Sequence, residues 1–430
     1  MRELACDLLV VGAGPAGIAA ACAAAERGKK VLVLDENPGA GGQIWRAGTH
    51  APPRAAEPWL ARFRASGAEL RSGCAVVEGD AARQTLWAQD AEGLLRTRAE
   101  SIVLATGARE LFLPFPGWTL PGVLGAGGLQ ALAKSGWPVR GKKIGVAGSG
   151  PLLLAVAAWL VEHGAHVAFV AEQAPLGRLA RFAASLAFQP RKLAQLAALR
   201  WKLRGVPQLF SSWPVRANGR AHIDSVELAT DGEPQGFLVD ALAVGFGLVP
   251  ETALAEQLGC ALDASGAVAV DAEQRTNVER IYAAGEPTGI GGVENALLQG
   301  ELAGASAAGD ARAAHTFARR AARARRFGRA LERAFALREE LREMPDDDTI
   351  VCRCEDVRWD AARELDSARE TKLQTRCGMG PCQGRVCQPA LHFLKGGRAD
   401  RRRPPLLPLT LGELAELAAD RTTLEHETSR

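Results

Sequence analysis

The first informative pattern is an unbroken apolar run, Leu8-Leu9-Val10-Val11, which ends abruptly at Gly12-Ala13-Gly14-Pro15-Ala16-Gly17. A short apolar run bounded by glycine predicts a strand buried on both faces. An Ala-rich stretch to about Glu26 predicts a helix, Gly28 a stop, and Val31-Leu32-Val33-Leu34 a second buried strand, which together make a βαβ unit. The pattern recurs at Ile144-Gly145-Val146-Ala147, followed by Gly148-Ser149-Gly150-Pro151, an apolar helix to about His163, and Val167-Ala168-Phe169-Val170. Two such units in one chain are an internal repeat.

Between and beyond them the pattern changes character. Residues 70–105 alternate in short segments and end in Ser101-Ile102-Val103-Leu104-Ala105, and residues 111–122 are dense in Pro and Gly, which predicts a crossing between domains. Residues 176–205 read as a basic amphipathic helix, and 206–248 as strands with turns at Asn218-Gly219 and Asp231-Gly232. Residues 280–309 read strand, Gly-rich turn, helix; 310–343 read as an Arg- and Ala-rich helix; Met344-Pro345-Asp346-Asp347-Asp348 reads as a linker. A cysteine module at 350–395 and a Pro- and Arg-rich tail, with a helical segment from Leu411 to Ala419, complete the chain.

At 430 residues the chain has room for two or three domains, and 47% hydrophobic against 23% charged residues is a globular balance. With 52 Lys+Arg against 49 Asp+Glu, the surplus is too small for a whole-protein case for nucleic-acid binding. No stretch of 18 apolar residues suggests a membrane span, and the start of the chain lacks the basic region and cleavage site of a signal peptide. A cytoplasmic location follows as the expectation, with contact to the inner face of the membrane only through a complex. Of nine cysteines, Cys352, Cys354, Cys377, Cys382 and Cys387 fall within 36 residues. Such a local cluster in a reducing compartment points to a metal or iron–sulfur site rather than a disulfide scaffold.

Gly12-x-Gly14-x-x-Gly17 lies between a predicted strand and helix, with Asp35 and Glu36 at the end of the next strand. Gly12 allows the tight turn, Gly14 the approach of backbone to a pyrophosphate, Gly17 the close packing of helix on strand. The acid, Asp35 before Glu36, accepts from ribose hydroxyls. Two later segments resemble the ATG and GD signatures of two-dinucleotide-domain flavoproteins: Ile102 to Ala108, containing Ala105-Thr106-Gly107, and TNVERIYAAGE, ending in Gly285-Glu286. That resemblance implies FAD, with Glu286 standing where Asp is usual and accepting from the ribityl chain, and a following helix whose N-terminal amides face the flavin pyrimidine. Gly41-Gly42-Gln43 matches an early GG turn of the same family.

The second unit reads Gly148-x-Gly150-x-x-Leu153, with Glu172 ending its second strand. Leu153 replaces the third glycine and is expected to crowd the helix–strand contact or the phosphate path. NAD(P)H, ATP or another nucleotide, and no ligand at all stay open for this fold. No Cys-x-x-Cys follows the first unit, so a thiol–disulfide relay beside the flavin is unsupported.

The module reads CRCE, then GMGPCQGRVC. Two short-spaced pairs can converge on one centre, and Cys-x-Cys with Cys-x4-Cys fits zinc knuckles poorly. It looks like the bacterioferritin-associated-ferredoxin (BFD) type of [2Fe–2S] domain, which implies Cys352, Cys354, Cys382 and Cys387 as ligands and Cys377 as the spare; zinc and no metal stay open. The ten arginines of 312–342 alternate late with Glu332, Glu339, Glu340 and Glu343, so a solvated linker helix or one docking on an acidic partner is preferred to nucleic acid. His163, His166, His222, His315 and His392 show no ligand or base spacing.

In this order, the motifs resemble the alpha subunits of heteromeric flavin-dependent amine and imino-acid dehydrogenases, a family that includes D-hydroxyproline dehydrogenase, opine oxidase and the hydrogen cyanide synthase B subunit. AREL-FLPFPGWTLPG at 108–122 belongs to the match. The resemblance implies an α/β, glutathione-reductase-like flavoprotein with two dinucleotide-binding domains and a small C-terminal helical BFD-like [2Fe–2S] domain. The implied boundaries are 1–112 with 245–310 for FAD, 113–244 for the degenerate NAD(P)-binding-like fold, 311–345 for the linker helix, 346–395 for the module and 396–430 for the tail. It also implies substrate oxidation on a separate FAD-dependent beta subunit of amino-acid-oxidase type, with a small ferredoxin-like gamma subunit for a further partner, and FMN at the interface between subunits for one onward route. D-hydroxyproline leads the substrates, with opines, glycine and proline open. A self-contained NAD(P)H-dependent flavin reductase, and an assembly or iron-sensing protein with a structural cluster, are the alternatives from other classes.

Overall fold

A computed structural model describes residues 1–46, 53–186, 190–397 and 403–428. Residues 398–402 of the expected tail lie outside the described residues. The chain forms two compact units: residues 1–109, 250–329 and 401–430 make one, and residues 110–249 and 330–400 the other.

In the first unit, strands Glu69–Ser72, Val31–Asp35, Arg2–Val11 and Gly93–Leu104 lie side by side, all parallel. Ile281–Ala283 pairs parallel with Gly93–Leu104 at its C-terminal end, and Thr85–Asp90 and Ala75–Asp80 extend the sheet antiparallel. Leu8, Leu9 and Val10 are buried on both faces, which is why the strand reads as a continuous apolar run. The helix Pro15–Ala25 is Ala-rich for a steric reason. Helix Gly292–Ala307 lies against it so closely that a Cβ on Gly300 or Gly304 would stand 2.1 or 2.2 Å from the carbonyl oxygens of Ala16 and Ala20.

The second unit has a parallel sheet in the order Gln208–Phe210, His166–Glu172, Lys143–Gly148, Ala241–Gly245, Val123–Gly125. An antiparallel three-stranded sheet, Trp213–Gly219, Ile223–Ala229 and Gln235–Leu238, accompanies it. The basic stretch expected as one helix is two, Leu176–Ser185 and Pro190–Lys202. The Arg-rich helix runs Ala311–Ala334 and stops short of the expected 343, giving way to a 3-10 turn at Glu339–Glu343. The cysteine module packs inside this second unit: the Trp118 indole donates to Ile350 O at 2.6 Å, and Ala390 and Phe393 join the core built around Phe115 and Phe169. Among the described residues no helix is long and apolar enough to cross a membrane.

The tail returns to the first unit. Leu406 N–H donates to Val77 O, and helix Leu411–Thr428 lies on the antiparallel edge. There Asp420 accepts from the Trp87 indole at 2.8 Å and from Arg96 at 2.9 Å, Arg421 pairs with the buried Glu78 at 2.8 Å, and Leu417 is enclosed with Val77, Trp87 and Leu94. Truncating Leu417→Ala removes a side chain from a dry pocket and is expected to cost the first unit about 2–4 kcal/mol. A lowered urea midpoint, with unchanged far-ultraviolet circular dichroism in buffer, is the readout.

Candidate functional site

The first dinucleotide fold is assembled by backbone contacts that leave no room for side chains. Gly12 has φ +104°, and a Cβ there would sit 2.3 Å from Ala105 O; a Cβ on Gly17 would sit 1.8 Å from Gly12 O. Ala105 N–H donates to Val11 O and Ala284 N–H to Leu104 O, so the segments holding Thr106-Gly107 and Gly285-Glu286 end level with the glycine loop. Thr106 donates its hydroxyl to Glu251 O at 2.6 Å. Gly14 caps helix Pro15–Ala25, and among the described residues the only atom within 4 Å of a Cβ there would be Gly42 Cα at 4.0 Å. An open, glycine-floored helix N-terminus is the geometry that takes a pyrophosphate.

Asp35 is buried and accepts from Ala13 N at 2.5 Å, Asn37 N at 2.7 Å and Asn37 Nδ2 at 2.8 Å, holding the loop against the second strand. Glu36 is exposed, as is Gln43, while Gly42 abuts Gly14. Pro15 and Ala16 open the helix, and Gly285, at φ +83°, would clash with Ala16 through any Cβ. The structure therefore brings Gly12, Gly14, Pro15, Ala16, Gly17, Asp35, Gly42, Ala105, Thr106, Gly107, Gly285 and Glu286 to one end of the sheet.

The Glu286 carboxylate has no hydrogen-bond partner among the described residues, and burial raises its pKa above the ordinary value. Asn295, on the first turn of helix Gly292–Ala307, is buried with an unpartnered Oδ1. Orphaned polar groups at the rim of a glycine-floored cradle fit FAD, whose ribityl hydroxyls and ring would supply the missing partners. Asn295 and Gln299 are not evident as site residues from the sequence. Gln299 accepts from Gly285 N at 2.8 Å and from the Thr288 hydroxyl at 3.1 Å, fixing the Gly285-Glu286 turn. Their i, i+4 spacing on the buried stripe of an apolar helix is the signal that marks them.

The cysteines sort into two groups. The Sγ atoms of Cys352, Cys377 and Cys387 lie within 4.8 Å of one another, all buried. Cys354, exposed, hydrogen-bonds with the backbone N–H and the thiol of Cys382. Cys377, expected as the spare, is thus part of the inner group, and Cys354 and Cys382, expected as ligands, stand outside it. Thiols of Cys377 and Cys387, with the Gly378 and Glu355 amides, hydrogen-bond to Cys352 and depress its pKa far below the ordinary thiol value. Convergent thiols with backbone amides aimed at sulfur are a donor set for a thiophilic metal. The remaining cysteines, Cys6, Cys22, Cys74 and Cys260, are buried in apolar surroundings that raise their pKa values.

The family profile described as Pyridine nucleotide-disulphide oxidoreductase matches residues 6–300. The chain belongs to that family. The opine oxidase A subunit of Rhizobium meliloti (strain 1021) is 35% identical over 458 residues, covering 96% of this chain and 98% of that protein. The hydrogen cyanide synthase protein HcnB of Pseudomonas aeruginosa is 36% identical over 424 residues, covering 88% and 90%. Among solved structures, L-proline dehydrogenase from P. horikoshii superposes with a TM-score of 0.71 at 20% identity, over 96% of this chain and 80% of that one. The glutathione-reductase-like flavoprotein fold expected from the motifs is the fold observed, and the chain is a flavin oxidoreductase.

In the second dinucleotide fold, Glu172 takes the place that Asp35 holds in the first. It accepts from Gly150 N at 2.7 Å, Ala174 N at 2.9 Å and the Ser149 hydroxyl at 3.2 Å. Burial outweighs these bonds and pushes its carboxyl up from 4.5 to about 7. The folded state therefore binds a proton more tightly than the unfolded chain. This contribution to stability is complete below pH 4.5 and is lost as pH rises through 7. Wild-type unfolding free energy is expected to fall by up to about 3 kcal/mol between pH 4.5 and 8, and Glu172→Gln, though less stable at the low end, to flatten that slope. Chemical denaturation of both proteins at several pH values measures the difference.

Proposed function

We propose that the chain is the FAD- and [2Fe–2S]-containing electron-transfer subunit of a heteromeric dehydrogenase that oxidises a CH–NH bond, with substrate oxidation on a separate flavin-dependent beta subunit. The observation that carries this reading is near full-length similarity to two proteins described as subunits, one of opine oxidase and one of hydrogen cyanide synthase, by a chain that carries a thiol-rich module. Gly12, Gly14 and Gly17 would admit the FAD pyrophosphate, Asp35 would hold the loop that meets it, and Glu286 would accept from its ribityl hydroxyls. When bound, flavin accepts a hydride and gives up electrons singly, which suits a one-electron cluster. Thr106 and the small-residue turns would leave room for the ring, and among the described residues the site offers no histidine or cysteine as base or nucleophile. This supports placing amine chemistry on a partner.

For the cluster, Cys352 and Cys387 of the buried group and Cys354 and Cys382 of the outer pair would give two sulfurs to each iron. A single zinc on the inner three thiols is the competing arrangement. Among substrates we favour a cyclic imino acid, D-hydroxyproline first; the structural neighbour described as an L-proline dehydrogenase supports that ring class.

Co-expression with the products of the neighbouring reading frames, followed by dye reduction with D-hydroxyproline, opines, glycine and proline, tests the division of labour. Turnover is expected with the complex and absent from the isolated chain; turnover by the chain alone refutes it. Cys382→Ser and Cys354→Ser are each expected to lose the iron and visible cluster absorption while retaining FAD. Cys377→Ser is expected to keep about two irons per chain. Metal analysis showing one zinc, lost with Cys377 but kept without Cys382, selects the competing arrangement.

A further inference from the structure

The family to which the chain belongs is described by its pyridine nucleotide, and the second dinucleotide fold is where one is expected. The residues there do not fit it. Leu153 is not the obstacle: it is 1% exposed, packed with Ile144, Val146 and Val156 in the helix–sheet core, and stays clear of the loop surface. The obstacle is a segment nearly two hundred residues downstream.

Phe335-Ala336-Leu337-Arg338 passes over Ser149 of the glycine loop and the end of strand His166–Glu172. The Ser149 hydroxyl, the variable position of the Gly148-Ser149-Gly150 turn, stands 3.1 Å from Phe335 O and shares its single proton between that carbonyl and Glu172. The side chain of Gln173, wholly buried, donates to Ala336 O at 3.3 Å and accepts from Arg338 N at 3.2 Å. Arg178 donates to the same Ala336 O at 2.7 Å. The Phe335 ring stands edge-on to Phe182, centroids 5.7 Å apart at 72°, and the Arg338 guanidinium lies over Trp213 at 5.0 Å. Ser149 also accepts from Gln173 Nε2 at 2.9 Å, and Glu172 is fully engaged by its own loop.

Thus the Ser149 hydroxyl and the Gln173 side chain, at the strand end where a nucleotide ribose would lie, are already bonded to this segment. The loop glycines are left clear in both folds, since a Cβ on Gly150 would meet nothing within 4 Å and one on Gly14 only Gly42 Cα at 4.0 Å; what distinguishes the second fold is the segment bonded to Ser149 and Gln173. Both flanks of the segment are anchored. Phe335 N–H still belongs to the preceding helix, bonding Leu331 O, and Leu341 and Met344 are buried in the unit's core. A tethered occupant of this kind competes at a high effective concentration against any free ligand.

We propose that residues 335–338 are a built-in occupant of the second dinucleotide fold that closes it to nicotinamide nucleotides, so that NAD(P)H does not reduce this chain's flavin. The fold serves as a scaffold, and reducing equivalents enter by another route.

The test uses the full-length, FAD-loaded protein with ADP-ribose, the part common to these dinucleotides, in equilibrium dialysis, and with NADH in anaerobic stopped flow. The intact chain is expected to show no saturable ADP-ribose binding below millimolar concentration and no flavin bleaching by NADH. Micromolar binding, or bleaching at the rate of NADH addition, overturns the proposal. In hydrogen exchange, a peptide spanning 335–341 is expected to be protected in the intact chain; exchange at the unstructured rate overturns it independently of any variant. The double variant Gln173→Ala/Arg178→Ala removes the grip on Ala336 O and leaves the residues of the glycine loop themselves unaltered. It is expected to raise exchange in that peptide and to bring ADP-ribose affinity up roughly tenfold or more. Raised exchange with no gain in affinity shows that the segment is not what closes the site.

Discussion

Each dinucleotide fold rests on one electrostatic contact: a carboxylate at the end of the second strand accepting from an amide of the glycine loop. Asp35 accepts from Ala13 N, and Glu172 from Gly150 N. The contact is made across some twenty residues of helix and turn, and it decides how the loop is presented. In the first fold it leaves the helix N-terminus bare, with glycines at each position where another segment approaches. In the second, the carboxylate also accepts from a hydroxyl and a second amide, and that same hydroxyl, on Ser149, meets Phe335 O. The same device therefore presents a bare loop in one fold and, in the other, a loop whose serine is met by a second segment.

What the sequence made legible was local. Three glycines, two apolar strands and an acid at the right spacing produce the βαβ unit wherever they occur, because the close approaches of Gly12 to Ala105 and of Gly17 to Gly12 tolerate nothing larger. The ATG- and GD-like segments are legible for the same reason: the first ends the strand that pairs with Arg2–Val11, and the second ends the strand paired with that one.

Contacts between segments far apart in sequence carried no such mark. Leu153 stood out as an irregular third position, yet its side chain is absorbed by the core, while the segment that covers the loop is an unremarkable Phe-Ala-Leu-Arg. Its grip is made by two main-chain carbonyls and one amide, which every residue possesses, so composition could not betray it. The tail gave a similarly weak signal. Its helix was legible, but Asp420 meeting both Trp87 and Arg96 depends on a sheet edge assembled from elsewhere. Spacing showed that the five cysteines cluster; it did not show that Cys377 would share the inner group.

The position of the occluding segment gives the second fold a purpose that its lost third glycine leaves unexplained. Immediately after Arg338 come Leu341 and Met344, buried in the core of that unit, then Asp346 paired with Arg216, then Ile350 receiving the Trp118 indole, then Cys352. Occlusion and anchorage are consecutive stretches of one strip of chain. To admit a nucleotide, the strip would have to lift at 335–338, and the first contacts to loosen would be those that seat the thiol module. A domain that binds no nucleotide can afford a permanent strap across its loop, and a module of about forty-five residues, too small to bury much core of its own, gains a rigid floor from it. The two irregularities of the sequence, a degenerate glycine motif and an appended cysteine module, are in this view one adaptation: the nucleotide fold is retained because the module is built on it.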